Sequence, residues 1–165
     1  VEQIFLNEMI PRLNMQQSGV SSKCSVTQVT QINAHFTDTN SEYWVGQVGG
    51  MHNGTDFGGD PGTPVYAPYD LMVEDIQYYS DPGRFGWYVQ GRFADGYLFY
   101  AGHLGITTVQ VGQHITACTQ IGMIGEVFHT HIKVAPPEAP VPCEINARPD
   151  GSPWCEDFET YFANH

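Results

Sequence analysis

The chain of 165 residues is long enough for one domain with an ordinary core, and its 41% hydrophobic content sets it apart from disordered polypeptides. Eighteen acidic residues against six basic ones give a net charge of −12, which leaves no basic footprint for nucleic acid or for an anionic membrane surface. No run of eighteen apolar residues is present, so membrane insertion is not expected, and no basic segment followed by an apolar one opens the chain as a signal peptide would.

Taken in chain order, Glu2 to Gln17 carries Ile4, Phe5, Met9 and Leu13 at helical spacing, with Pro11 interrupting the run. Ser18 to Asn40 is rich in Ser, Thr and Gln and reads as a lead-in or an early strand pair. From Tyr43 the pattern becomes one of short strands: Tyr43–Val48, Pro64–Ala67, Leu71–Tyr79, Gly86–Phe93, Tyr97–His103, Thr108–Val111, Gln120–Met123 and Val127–Val134. Turn clusters separate them at residues 58–62, at Asp81-Pro82-Gly83 and at Asp95-Gly96, the last a strong hairpin signal between two aromatic-rich runs. Residues 135–142 hold four prolines and form a spacer. Ser152 then offers an N-cap, Pro153 a first helical position, and Glu156 and Asp157 an acidic first turn for a closing helix to about Phe162. The expectation is a mostly β protein, an antiparallel sheet or barrel-sandwich with short helices only at the termini. Its segments are a lead-in over 1–40, a core over 41–134 and a Pro-rich extension over 135–165.

Four cysteines stand at Cys24, Cys118, Cys143 and Cys155, none in a C-x2-C pair, so a thiolate zinc site is disfavoured. Cys143 and Cys155 bracket a segment with little apolar content, where a disulfide would supply what a core cannot. These two are expected to be bonded, with Cys24 and Cys118 either paired or buried as thiols. An oxidising, extracellular or cell-envelope setting follows.

Three histidine groups carry the chemistry. His52 and Asp56 are four apart in a Gly-rich stretch unsuited to a helix, and an irregular turn there could fold an imidazole and a carboxylate together as a zinc donor pair. His129-Thr130-His131 lies in a strand, so His129, His131 and Lys133 should project from one face. Phe128, Thr130, Ile132 and Val134 should project from the other, the core face. One imidazole of the pair can bind a metal while its neighbour stays available for proton transfer. His103 ends the run that begins at Tyr97.

The order His-x3-Asp, then Gly-Thr-Pro-Val-Tyr-Ala-Pro (62–68), Tyr-Ala-Gly-His-Leu (100–104) and His-x-His resembles the lysostaphin/LytM-like family of zinc endopeptidases. Val109 to Ile115 and Ile121-Gly122 are similar to that family's barrel segment, so the resemblance runs from about Met51 to Val134. It implies one Zn2+ per chain held by His52, Asp56 and His131, with His103 and His129 as a catalytic pair that does not bind the metal. It also implies peptide cross-bridges of bacterial peptidoglycan as substrate, leaving Gly-Gly and D-amino-acid linkages undistinguished. Two histidines and one carboxylate leave a coordination position open, as catalytic zinc requires. His35 and His114 match no motif of the family and read as structural or surface residues. Two departures stand out. The segment between Ile121-Gly122 and His129 is shorter than the family's groove-walling loop, and Cys118 occupies a position where the family often has Gly. The alternative is a non-catalytic module of the same fold that binds cell-wall peptide or a partner protein. Oligomeric state is left open.

Overall fold

The structure, a computed structural model, describes residues 23–29, 31–39, 50–81 and 85–165. The helix expected over 2–17, the strand Tyr43–Val48, and Pro82 and Gly83 of one turn lie outside the described residues. Among the described residues nine antiparallel strands form one sheet: β1 (Ile32–Ala34), β2 (Thr55–Gly58), β3 (Pro64–Tyr66), β4 (Leu71–Tyr79), β5 (Gly86–Phe93), β6 (Leu98–Thr107), β7 (His114–Ile115), β8 (Gln120–Ile124) and β9 (His129–Ala135). The main path runs β1-β2-β9-β6-β5-β4-β7, and β8 branches from β6 to pair with β3. After a short 3-10 turn at Cys143–Ile145, an α-helix, α1 (Phe158–Asn164), closes the described chain. The expected mostly β, antiparallel architecture is what the chain adopts.

Alternation produces the core. Thr130, Ile132 and Val134 of β9 are essentially fully buried on one face, beside Phe99 and Ala101 of β6 and Val89 of β5. Phe158 and Tyr161 of α1 close the same core, and Val26, upstream of β1, enters it while its carbonyl accepts from Tyr66 N. The Asp95-Gly96 hairpin forms as expected: Phe93 N and Tyr97 O pair across it, and Gly96 takes the left-handed φ of +88° that the turn requires. Both cysteine pairs are bonded, Cys24 to Cys118 and Cys143 to Cys155. The second bridge sits in a small satellite cluster with Leu98, Ala135 and Ala139.

Four expectations need correction. Thr108–Val111 is not a strand; Gln113 N reaches back to Gln110 O, and β7 begins after that turn. Phe128 does not join the core face, because β9 begins at His129 and Phe128, at φ +62°, stays 57% exposed. The strand ending in His103 continues to Thr107. The closing helix starts later than Ser152: Pro153 is held in an isolated bridge to Ala147 and Glu156 in one to Val134, so Asp157 becomes the N-cap, accepting from Glu159 N.

Candidate metal centre and active site

Three neighbouring strands assemble the site. The β2–β9 register places Asp56 opposite His131, and the β6–β9 register places Gly102 opposite the same histidine. His52 arrives from the turn before β2, fixed by its backbone: its N–H donates to Asp38 O and its carbonyl accepts from Thr37 N, each at 2.8 Å. Close packing there demands glycine. A Cβ at Gly54 would lie 2.5 Å from two ring atoms of His131, so any side chain would displace that imidazole.

The resulting geometry is tight. His131 Nδ1 lies 2.7 Å from Asp56 Oδ1 and 3.0 Å from His52 Nε2, and His52 Nε2 lies 3.2 Å from Asp56 Oδ1. His52 Nδ1 faces the His35 carbonyl at 3.0 Å and must donate to it, so its Nε2 presents a lone pair inward. Three electron-rich atoms pointed at one another repel unless a proton or a cation sits among them. For zinc at about 2.0–2.1 Å from each donor, a tetrahedral set would place donors roughly 3.3 Å apart, close to the triangle present. These three are the one group of potential metal-binding residues among the described residues that converges so. The donor set therefore fits a divalent ion such as zinc.

Two further imidazoles flank the triangle. One residue, Tyr88, lies between Trp87 and Val89 on β5 while two, Gly102 and His103, lie between their partners Leu104 and Ala101 on β6, so β6 bulges at Gly102-His103. His103 adopts a left-handed φ of +61° in that bulge, a sparsely populated conformation for a residue with a Cβ, and its carbonyl accepts from Gly125 N. Its ring packs edge-on against His129, centroids 4.8 Å apart. Each of the two donates Nδ1–H to a backbone carbonyl, His103 to Phe85 and His129 to Val127, both at 2.9 Å. Nε2 is left as the basic atom in each, and that of His129 stands 3.6 Å from Asp56 Oδ2.

Electrostatics follow from burial and from Asp56. Burial opposes ionisation of Asp56, but the close approach of His131 and His52 outweighs it and holds the carboxyl well below the usual range. Burial pulls His131 down to about 4, more than its bond to Asp56 raises it, so the ring is neutral and able to act as a ligand. Burial also lowers His52, but there the Asp56 contacts prevail and the net shift is upward. His103 is pushed down chiefly by burial, with the neighbouring His129 adding to it, and stays neutral at neutral pH.

Thus the five residues singled out in the sequence, His52, Asp56, His103, His129 and His131, meet in one place. His114 lies exposed on β7, away from them. His35 has a part that its side chain does not advertise: its carbonyl orients His52, while its ring pairs with Glu159 of α1 at 2.7 Å. The carbonyls of Phe85 and Val127 act in the same way on His103 and His129. Backbone groups leave no mark in a sequence, so only the fold exposes them.

The sequence model of the family described as Peptidase family M23 matches residues 50–138, more than half of the chain and all five of these residues. This chain belongs to peptidase family M23. No curated protein matches the chain by sequence. Among solved structures, lysostaphin in solution matches with a TM-score of 0.62 and 21% identity over 87% of this chain; the chain spans 55% of that protein's length. The catalytic domain of the antimicrobial peptidase lysostaphin from Staphylococcus simulans matches at 0.60 and 20% identity, covering 81% of this chain and 92% of that one. A zinc-containing peptidase from Vibrio cholerae matches at 0.56 and 24% identity, over 78% of this chain and 41% of that one. At such identities the structural likeness speaks for the fold, and it places this M23 domain in a lysostaphin-like architecture.

Proposed function

We propose that this M23 domain is a zinc-dependent endopeptidase that hydrolyses peptide cross-bridges of bacterial peptidoglycan, outside the cell or in its envelope. The observation that carries the reading is the convergence of His52 Nε2, Asp56 Oδ1 and His131 Nδ1 beside two imidazoles with inward basic nitrogens. His52, Asp56 and His131 would hold one zinc ion, which when bound supplies Lewis acidity toward a carbonyl and acidifies water. His103 and His129 have their Nδ1 protons committed to the backbone. In neutral form each can therefore take a proton through Nε2, and in cationic form return it to a departing amine or stabilise an oxyanion. Burial keeps His103 in its basic form at neutral pH, which suits it to the first of these roles. The bulge and the Phe85 carbonyl aim that ring, so little reorganisation is needed when substrate arrives. The bonded cysteines and the names of the peptidases of like fold support an extracellular or envelope setting.

The test is zinc analysis of the purified protein together with digestion of isolated peptidoglycan, with and without a chelator. About one zinc per chain and chelator-sensitive release of new amino termini are expected. A second reading, a non-catalytic module binding wall peptide or a partner, draws on one observation: only Gly125 to Phe128 connect β8 to β9, which leaves that side of the site low-walled. Zinc binding with retention on peptidoglycan but no new amino termini would favour it.

A further inference from the structure

The face of the sheet that carries the metal centre is covered over part of its length. Pleat alternation places His129, His131, Lys133 and Ala135 of β9 on that face, and the register sets Tyr100 and Leu98 of β6 beside the last two. After β9 the chain turns back across it. Arg92, opposite Leu98 on β5, donates from Nη1 to the Pro137 carbonyl at 3.3 Å. Ala139 and Cys143 pack with Leu98 and Ala135. Val141 and Pro142 then stand across a cavity from Tyr100, Tyr88 and Tyr79. Those three rings stack in a row at 4.9 and 5.4 Å, and its Tyr100 end meets the His131 ring at 6.5 Å. The cover therefore begins next to the metal centre. At the other end of β9, among the described residues, the site is bounded by the short turn 125–128, where Phe128 stands exposed.

We propose that residues 137–143 form a wall closing one end of the substrate cleft, so that this peptidase accepts about two residues on the acyl side of the scissile bond and a longer chain on the amine side. The proposal rests on the peptidase reading and narrows its substrate to glycine-rich chains cut near their amino end. The room follows from strand geometry. Lys133, beneath the cover, lies about 6.6 Å along β9 from His131, and an extended peptide laid along that floor advances about 3.3 Å per residue. The side follows from the imidazoles. His129 lies on the open side of His131 along β9, and the His103 ring packs against it. These rings return a proton to the departing amine, so the amine half of the substrate leaves over the low turn and the acyl half faces the wall. The wall is held apart from the site's own contacts: the Cys143–Cys155 bond and the bridge from Glu156 to Val134 fix its far end. Most of it lies beyond the segment matched to the M23 family, which ends at residue 138, so the closed end belongs to this chain's extension.

Hexaglycine tests this with the zinc-loaded full chain, its fragments identified by mass spectrometry. The free peptide and its amino-acetylated form should be cut alike, releasing pieces of one or two residues from the amino end. Streptavidin held by a biotin at the amino end should lower kcat/KM by about tenfold or more, and the same block at the carboxyl end by less than about twofold. Cys143→Ala with Cys155→Ala frees the wall, and Val141→Gly lowers its exposed edge, so each should shrink the ratio between the two blocks. Circular dichroism and zinc content check folding, and if the double variant does not fold, Val141→Gly decides. Equal effects of the two blocks, a stronger effect at the carboxyl end, loss of cleavage on acetylation alone, or a ratio that survives in the folded variants overturns the wall. If the parent cleaves none of the peptides, the peptidase reading is what fails. Calorimetric titration with hexaglycine blocked at either end then decides the wall: weaker binding of the amino-blocked peptide upholds it, and equal binding overturns it.

Discussion

The candidate metal centre and the C-terminal extension are adjacent in space but are ordered by different means. Asp56 and His131 sit on paired strands, His103 on the next strand over, and β9 behind them is anchored by fully buried Ile132 and Val134. Between β9 and α1 the extension packs mainly in a small cluster around Cys143 and Cys155 and leaves Val141 and Ile145 more than half exposed, and only at α1 do Phe158 and Tyr161 rejoin the main core. Chemistry that depends on sub-ångström placement is built where hydrogen-bond ladders and a packed core over-determine each ring. The segment between β9 and α1, outside that ladder, is held together by one covalent bond and the few side chains around it.

The largest test of that contrast removes a ligand. His131→Ala and Asp56→Ala should each take zinc from about one per chain to near none and reduce cleavage to background, while the Cys143–Cys155 bond persists. Metal analysis and non-reducing peptide mapping read both outcomes, and full zinc occupancy in His131→Ala would refute the ligand assignment. Removing zinc from the parent with a chelator should lower its melting temperature, since zinc at a hundredfold excess over Kd stabilises the folded form by about 2.7 kcal/mol.

Next come the flanking imidazoles. His103→Ala and His129→Ala should keep zinc and lose on the order of a hundred- to a thousand-fold in turnover apiece. Because burial holds the His103 pKa below its ordinary 6.5, the ring loses its basic form only when pH falls below that value. The acid limb of kcat/KM should accordingly lie under pH 6.5, measured with zinc content tracked at each pH.

Smaller effects belong to the extension. Replacing Cys143 and Cys155 together by Ala reopens a loop of 12 residues and should cost up to about 3 kcal/mol, with zinc content unchanged. A matching loss of zinc would mean that the two regions are not independent. The smallest effect is expected from Glu159→Ala, which cuts the contact between α1 and the exposed ring of His35. Surface pairs of this kind are worth about 0–1 kcal/mol, and denaturant titration should find no more.

Much of this was legible in the sequence because strand period and turn chemistry are local. Leu71–Tyr79 and Gly86–Phe93 were bounded to the residue, and the alternation of His129, His131 and Lys133 against Thr130, Ile132 and Val134 followed from the pleat alone. What escaped was non-local. The bulge that turns His103 arises from pairing with β5, and the start of α1 is set by bridges to Val134 and Ala147 that override the Ser152-Pro153 start signal. Cys118 explains itself only in three dimensions. It stands at φ +66°, a conformation that suits glycine, and its bond to Cys24 ties that turn to the lead-in segment.

The sheet's path begins at β1 with three residues and ends at β7 with two, and the branch ends at β3 with three. Of the longest strands, β5 and β6 lie inside it, whereas β4 is flanked by β7 along Leu71 and Met72 alone. Among the described residues the far part of β4 therefore presents an open strand edge, and the net charge of −12 is what holds copies apart before they touch. Association templated by that edge should accordingly be slow at low ionic strength and quicken as salt screens the charge.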